Sequence, residues 1–167
     1  MLPKSDGGHR VEDQQGLLKN DEMNVSIAAN IVCPHCLTLN RMSSDRDSLS
    51  AKCGHCHKKL FEGHPFAVNE RAFNKHIQSN DIPVVVDFWA AWCGPCKMIE
   101  PIFAALSGEM EPGWRFLRVD TEAERALSAR FQIKSIPMLM TFTKGAVVGQ
   151  RAGAMDKASL RAWLAAF

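Results

Sequence analysis

One stretch of the chain decides the fold: VVVDFWAAWCGPC, residues 84–96. Residues 84–89 form a nearly continuous apolar run of strand length, which is typical of a central strand covered on both faces. Two cysteines in Cys-x-x-Cys spacing follow, at Cys93 and Cys96, where a helical pattern begins. The stretch predicts a buried strand that runs directly into a helix, with a cysteine pair at the junction.

The sequence on both sides of this stretch predicts a regular alternation of strands and helices. The first half begins with a strand at 66–68 and a helix that is capped by Asn69 and buries Phe73 and Ile77. The strand at 84–89 follows, and then a helix that is broken or kinked at Pro101 and ends near Met110. The second half comprises a strand at 115–120, a helix at 122–131 with Ala123, Leu127 and Phe131 on one face, a hairpin of strands 138–142 and 146–150, and a helix capped by Asp156 that buries Leu160, Trp163, Leu164 and Phe167. The order β-α-β-α-β-α-β-β-α predicts an α/β domain.

The composition favours neither a nucleic-acid nor a membrane partner. The chain has 167 residues, 46% of them hydrophobic, and a net charge of +2 from 20 basic and 18 acidic residues, which creates no field of one sign. Residues 1–22 are polar and lack a signal-peptide core, and no later stretch has the roughly 18 apolar residues of a membrane span. We therefore expect a cytoplasmic protein in which residues 1–22 are a disordered extension, a cloning remnant or the product of an alternative start.

The cysteines are arranged entirely in Cys-x-x-Cys pairs. This arrangement favours metal binding and redox chemistry in a reducing compartment over a framework of structural disulfides. The pairs are Cys33/Cys36, Cys53/Cys56 and Cys93/Cys96.

The first two pairs predict a zinc site. They are separated by 16 residues, within the spacing of a four-cysteine zinc ribbon, and each turn offers two thiolates on one side. An isolated redox pair and a plain disulfide are the alternatives, and His35, His55 or His57 could replace a cysteine. The nearby basic residues are interpreted as a solvated face. We expect one Zn²⁺ per chain, structural or redox-sensing, held by Cys33, Cys36, Cys53 and Cys56.

The third pair has a different setting, because it lies where a buried strand meets a helix. Unpaired backbone N–H groups and the dipole at a helix amino terminus favour a thiolate over a thiol. We therefore expect Cys93 to be the nucleophile. Cys96, one helical turn later, would be the resolving cysteine, and the Gly94-Pro95 linker would restrict the turn between them.

Several motifs together resemble those of the thioredoxin family over residues 66–167: the motif at 92–96 after residues 86–91, Pro101 in the following helix, and Ile136-Pro137 later. With the two amino-terminal cysteine pairs, the chain resembles the bacterial thioredoxin 2 subfamily. The resemblance implies a thioredoxin fold, a central mixed sheet flanked by helices, behind a zinc-ribbon-like module at 23–65. It also implies a monomeric protein-disulfide reductase that acts on oxidised proteins and is recycled by an NADPH-dependent thioredoxin reductase.

The resemblance implies roles for further residues. Asp87 would be a buried acid of raised pKa that helps to move the proton of Cys96. Trp92 would shield the disulfide and contact partners, Pro137 would belong to a cis-proline loop that offers backbone hydrogen bonds, and Gly153 would lie on the docking surface. The structural alternatives are a strand-end polar group for Asp87, simple packing for Trp92, and ordinary loop and turn residues for the others.

Three residues depart from the family pattern: Arg118 replaces a lysine near the buried acid, Gln132 a glycine, and Met138 a threonine. Arg118 keeps the charge but does not readily lose a proton. The chain has no Gly-x-Gly-x-x-Gly motif, so we expect no tightly bound organic cofactor. Two other functions stay open: a zinc-dependent interaction module that the thioredoxin domain only presents, and a net oxidase or isomerase, which the Gly94-Pro95 linker disfavours.

Overall fold

The computed structural model of the protein describes residues 28–44 and 46–167. The expectation for residues 1–22 lies outside the described residues. The first described elements are two short antiparallel strands, β1 (Ala29–Val32) and β2 (Leu39–Met42). A 3₁₀ turn at Ser48–Ser50 follows, and an isolated bridge joins Lys52 to Lys59. This amino-terminal module has a small core of its own, formed by Ile31, Cys33, Cys53, Leu60 and Phe61.

The part of the chain after this module contains strands and helices in the predicted order β-α-β-α-β-α-β-β-α. The elements are β3 (Phe66–Ala67), α1 (Glu70–Ser79), β4 (Val84–Trp89), α2 (Gly94–Met110), β5 (Arg115–Asp120), α3 (Arg125–Arg130), β6 (Met138–Thr143), β7 (Ala146–Ala152) and α4 (Lys157–Leu164). Among the described residues these strands form one five-stranded sheet of order β3-β5-β4-β6-β7. Strands β3, β5 and β4 are parallel to one another, β6 runs antiparallel to β4, and β7 runs antiparallel to β6. The expected mixed sheet is confirmed.

Strand β4 is central because both of its faces are covered. On one face it packs with α1 and α3 in a core that includes Phe73, Phe88 and Leu127. On the other face it packs with α2 and α4 in a core that includes Val85 and Phe103. The continuous apolar run that marked this strand in the sequence reflects burial between two helix layers.

The predicted helix caps are present. The side chain of Asn69 accepts a hydrogen bond of 2.9 Å from the backbone N–H of Ala72 at the start of α1. The side chain of Asp156 accepts one of 2.8 Å from the N–H of Ser159 at the start of α4. Each cap satisfies a backbone donor that a helix start leaves without a partner.

Two helices differ from the prediction. Helix α3 begins at Arg125 rather than at residue 122, because the Asp120 carboxylate accepts hydrogen bonds from the N–H groups of Glu122 and Ala123 and turns the chain there. Ala123 is therefore exposed. Helix α4 ends at Leu164, and Phe167 beyond it is 47% exposed, so its predicted burial was wrong.

Pro101 does not break its helix. Helix α2 runs continuously from Gly94 to Met110 with Pro101 inside it. The expected end of the helix near Met110 is confirmed.

The amino-terminal module packs directly against the part of the chain that forms the five-stranded sheet and its helices. The N–H of Asn30 donates to the carboxylate of Asp81 at 2.7 Å, and the N–H of Asp81 donates back to the carbonyl of Asn30 at 2.9 Å. The N–H of Val32 donates to the side-chain oxygen of Asn80 at 2.8 Å. Strand β1 is thus fixed to the segment after α1.

A buried arginine completes this junction. Arg115, the first residue of β5, has a side chain that is 0% exposed. Its Nη2 donates to the carbonyl oxygens of Leu60 at 2.8 Å and Val32 at 3.4 Å, and its guanidinium lies over the Phe61 ring at 4.8 Å. Glu111 supplies a carboxylate 3.7 Å from Nη1, too far for a hydrogen bond but close enough for charge attraction. One side chain of the sheet therefore binds both ends of the amino-terminal module.

Candidate active site and metal centre

The third cysteine pair forms a disulfide at the amino terminus of α2. Cys93 and Cys96 are bonded, with Cα atoms 5.3 Å apart. Cys93 is the N-cap of the helix, and the backbone N–H of Cys96 points at Sγ of Cys93 at 3.2 Å. Gly94 and Pro95 form the exposed first positions of the helix between them. A thiolate at Cys93 would therefore be stabilised by a hydrogen bond from a helix N–H group and by the positive end of the helix dipole.

The loop that precedes β6, the neighbour of β4 in the sheet, reaches this disulfide. The Ile136–Pro137 peptide bond is cis, and the carbonyl oxygen of Ile136 lies 3.7 Å from Sγ of Cys93. The carbonyl of Pro137 accepts a hydrogen bond of 2.8 Å from the N–H of Gly153. Gly153 has φ of 86°, a conformation that residues with a side chain rarely adopt. The fold thus brings the predicted proline loop and the predicted glycine together beside the cysteines.

Two large apolar side chains close to the disulfide in the sequence are exposed. Trp92 is 70% exposed, and its indole N–H donates to the Glu122 carboxylate at 2.9 Å, which holds the ring in place. Met98, in the second turn of α2, is 68% exposed. Large apolar side chains left on a surface often mark a contact site for a partner.

Asp87 is a buried acid in β4, with Arg118 as its neighbour on β5. The two residues are register partners, and Nε of Arg118 donates to Oδ2 of Asp87 at 3.1 Å. Burial raises the pKa of Asp87 to about 6, while the charge and hydrogen bond of Arg118 oppose this rise. Oδ1 of Asp87 is buried and has no hydrogen-bond partner. The expected burial of this acid is confirmed, and burial is the cause that raises its pKa.

The first two cysteine pairs meet in one cluster. The Sγ atoms of Cys33, Cys36, Cys53 and Cys56 all lie within 4.8 Å of one another. Sγ of Cys33 is 3.6 Å from that of Cys56, and Sγ of Cys36 is 3.6 Å from that of Cys53. A tetrahedron with Zn–S bonds of 2.3 Å has edges of about 3.8 Å, so the cluster fits zinc. In the described chain no histidine belongs to this cluster.

The two knuckles have the same backbone design. In the first, the N–H of Leu37 donates to the carbonyl of Cys33, and in the second the N–H of His57 donates to that of Cys53, each at 3.0 Å. Both residues after the second cysteine have positive φ, 64° for Leu37 and 61° for His57. This left-handed conformation is costly for residues other than glycine. Two copies of a costly turn, each presenting two sulfurs inward, indicate a geometry set by a shared ligand.

The chain resembles proteins of one family along most of its length. A family model described as Thioredoxin matches residues 64–166. The chain belongs to the thioredoxin family. A second family model, described as Thioredoxin 2, N-terminal, matches residues 32–58 and is that of a zinc ribbon. The cysteine cluster therefore lies in a zinc-ribbon module in front of a thioredoxin domain.

Individual relatives agree with this assignment. Thioredoxin C-3 of Corynebacterium nephridii is 40% identical over 134 residues, which cover 80% of this chain and 92% of that protein. The thioredoxin of Porphyra purpurea is 38% identical over 58% of this chain and 91% of its own length. A solved mutant thioredoxin from Halobacterium salinarum NRC-1 superposes with a TM-score of 0.59 at 26% identity, over 64% of this chain and 93% of that one.

Thioredoxins are thiol-disulfide oxidoreductases, and this chain carries the Cys-x-x-Cys disulfide that such an enzyme uses. Within residues 28–44 and 46–167, none of the helices has the length and apolar character needed to cross a bilayer.

Sequence reasoning missed three residues of the two sites. Met98 was foreseeable, because an apolar residue outside the buried stripe of a helix signals exposure. Glu100 contacts Arg118, and Arg115 reaches the zinc-ribbon module, through contacts between residues far apart in the sequence. No local sequence pattern predicts such contacts.

Proposed function

We propose that this thioredoxin reduces protein disulfides with Cys93 as the attacking thiolate and Cys96 as the resolving cysteine. The Cys93 thiolate attacks one sulfur of a partner's disulfide, and the other sulfur leaves as a thiolate. Cys96, once deprotonated, attacks Sγ of Cys93 and releases the second partner sulfur. The partner gains two electrons, and Cys93–Cys96 ends as a disulfide. The observation that carries this proposal is the Cys96 N–H directed at Sγ of Cys93 at the start of α2.

The neighbouring residues suit this chemistry. Asp87, with a pKa of about 6 and a free Oδ1, can accept the proton that Cys96 must lose. Trp92 offers an apolar contact surface for the partner chain. Gly94 and Pro95 keep the turn between the cysteines short, and the loop at Pro137 borders the sulfur that is attacked.

The zinc-ribbon module holds one Zn²⁺ per chain through Cys33, Cys36, Cys53 and Cys56, and the ion is structural. Four thiolates leave no position open for a substrate or a water, which distinguishes a structural site from a catalytic one. The ion would tie together two knuckles that share only a small core.

The partners follow from this chemistry. Oxidised proteins are the substrates, and an NADPH-dependent thioredoxin reductase supplies the electrons, as is general in the family. We propose a monomer in the cytoplasm, because a site of four reduced thiolates persists in a reducing compartment. Its role there would be electron transport to protein disulfides.

The test is a coupled assay of the zinc-loaded protein with NADPH, thioredoxin reductase and insulin. We expect NADPH oxidation and insulin precipitation that both depend on the protein and rise with its concentration. A matched reaction without the protein corrects for direct insulin reduction by the reductase. A folded, zinc-loaded protein that gives no turnover would overturn the reductase proposal in favour of an interaction module.

Removal of one thiolate tests the metal centre. We expect Cys36→Ser to lose its zinc during dialysis at a chelator concentration at which the wild-type protein keeps one ion. Three thiolates bind zinc less tightly than four. The control is His55→Ala, which removes a histidine that hydrogen-bonds the Cys36 thiol but leaves all four sulfurs in place, and it should retain zinc. Metal content is measured by mass spectrometry. Zinc loss from His55→Ala equal to that from Cys36→Ser would contradict the all-cysteine site.

A further inference from the structure

The Arg118 guanidinium is held from three sides. Its Nε donates to Oδ2 of Asp87 at 3.1 Å, and its Nη1 donates to Oε1 of Glu100 at 2.7 Å. The guanidinium also lies over the ring of Trp89, 4.4 Å from its centroid. Arg118 therefore spans from the buried acid to a carboxylate on the outer side of α2.

We propose that Glu100 is a positioning residue, which holds the Arg118 guanidinium against Oδ2 of Asp87 and so assigns the exchangeable proton to Oδ1. The inference rests on the proposed function, in which Asp87 accepts the proton of Cys96. It adds Glu100 to the proton-transfer step and specifies which oxygen of Asp87 receives the proton.

The choice of oxygen follows from the hydrogen bonds. A carboxylic acid has one carbonyl oxygen, which is a good acceptor, and one hydroxyl oxygen, which is a poorer one. Oδ2 of Asp87 already accepts from Arg118, and an arginine cannot take part by giving up its proton. The proton of the acid is therefore best placed on Oδ1, the buried oxygen without a partner.

The position of Glu100 suits a residue that orients the Arg118 side chain rather than one whose ion pair stabilises the fold. Its side chain is 53% exposed, and exposed ion pairs add little to stability. It contacts the outer nitrogen of a side chain that is itself only 14% exposed. Without this contact the guanidinium could turn toward water and leave Oδ2 of Asp87.

The charged groups that face Asp87 are few, which makes a direct measurement possible. Strand β5 contributes Arg118 and helix α2 contributes Glu100, whereas the partner of Asp87 on β6 is Leu139, which has no charge. Helix α2 also begins with Cys93 and Cys96. In the oxidised protein neither cysteine titrates, so the carboxyl of Asp87 can be followed alone.

The experiment is an NMR titration of the Asp87 carboxyl carbon in the oxidised, zinc-loaded protein. Loss of the Glu100 charge alone would lower the pKa of Asp87, because a nearby negative charge raises it. Displacement of Arg118 would instead raise the pKa of Asp87, because the carboxylate would lose the cation that stabilises its charge. We therefore expect Glu100→Ala to raise the pKa of Asp87 by about half a unit or more. An unchanged or lowered pKa would overturn the proposal.

Two further variants separate position from charge. Glu100→Gln keeps an oxygen that can accept from Arg118, so its Asp87 pKa should stay at or below the wild-type value. Glu109→Ala removes another exposed glutamate of α2, one that pairs with Lys157 and Arg161, and should leave the Asp87 pKa unchanged. Insulin turnover is measured on the same samples. Absence of turnover in the wild-type protein would refute the proposed function, yet the pKa comparison would still decide the role of Glu100.

Discussion

Replacement of Cys93 by serine is expected to abolish insulin reduction, with a loss of at least about 10³-fold in the coupled assay. The serine hydroxyl keeps its proton at neutral pH, so it cannot replace the thiolate as the nucleophile that attacks the substrate disulfide. The N–H of Cys96 would still point at the substituted side chain, so the fold should be retained. Zinc content and the circular dichroism spectrum serve as checks that the variant is folded.

The matched control for this variant is Cys96→Ser. It also loses steady-state turnover, but it keeps the attacking sulfur and lacks the group that releases the partner. Mass spectrometry should therefore detect a mixed disulfide between Cys93 and an insulin chain. If Cys93→Ser formed a mixed disulfide through Cys96 and Cys96→Ser formed none, the two roles would be reversed.

The fold was predictable from local patterns wherever burial was complete. The apolar run at 84–89 was typical of a central strand, and it forms β4 with the predicted bounds. The two caps at Asn69 and Asp156 were visible because a short polar side chain precedes an amphipathic stretch. The prediction was wrong where a polar side chain redirected the backbone, as the Asp120 carboxylate does before α3.

The candidate sites were predictable to the extent that their residues are close in the sequence. Cys-x-x-Cys spacing brings two sulfurs together in a single turn, so the redox pair and the knuckles could be named in advance. The proximity of Arg118 to Asp87 was expected only from the family resemblance, because local patterns do not give the register between parallel strands. Arg115 looked like an ordinary polar residue at the start of a strand. Its burial depends on how the zinc-ribbon module docks, which the alternation of strands and helices does not encode.

One buried side chain, that of Arg115, makes several contacts at the junction between the two modules. Burial lowers the pKa of Arg115 to about 10, so the guanidinium stays charged at neutral pH. It faces the carbonyls of Val32 and Leu60 and the carboxylate of Glu111. The Glu111 carboxylate in turn accepts a hydrogen bond of 2.8 Å from the N–H of Gly63. Arg115 thus neutralises an acid and satisfies two carbonyls at the same buried place.

We expect Arg115→Met to lower the free energy of unfolding by about 3 kcal/mol or more, because it leaves the buried Glu111 carboxylate without its cation. Guanidinium denaturation of the oxidised, zinc-loaded protein measures the change. Arg151→Met, at an exposed position of β7, is the control and should shift stability by no more than about 0.5 kcal/mol. The double variant Arg115→Met, Glu111→Gln should recover part of the loss, because the carboxamide of the glutamine carries no charge that needs a cation. If Arg115→Met were as stable as Arg151→Met, the buried arginine would not hold the two modules together.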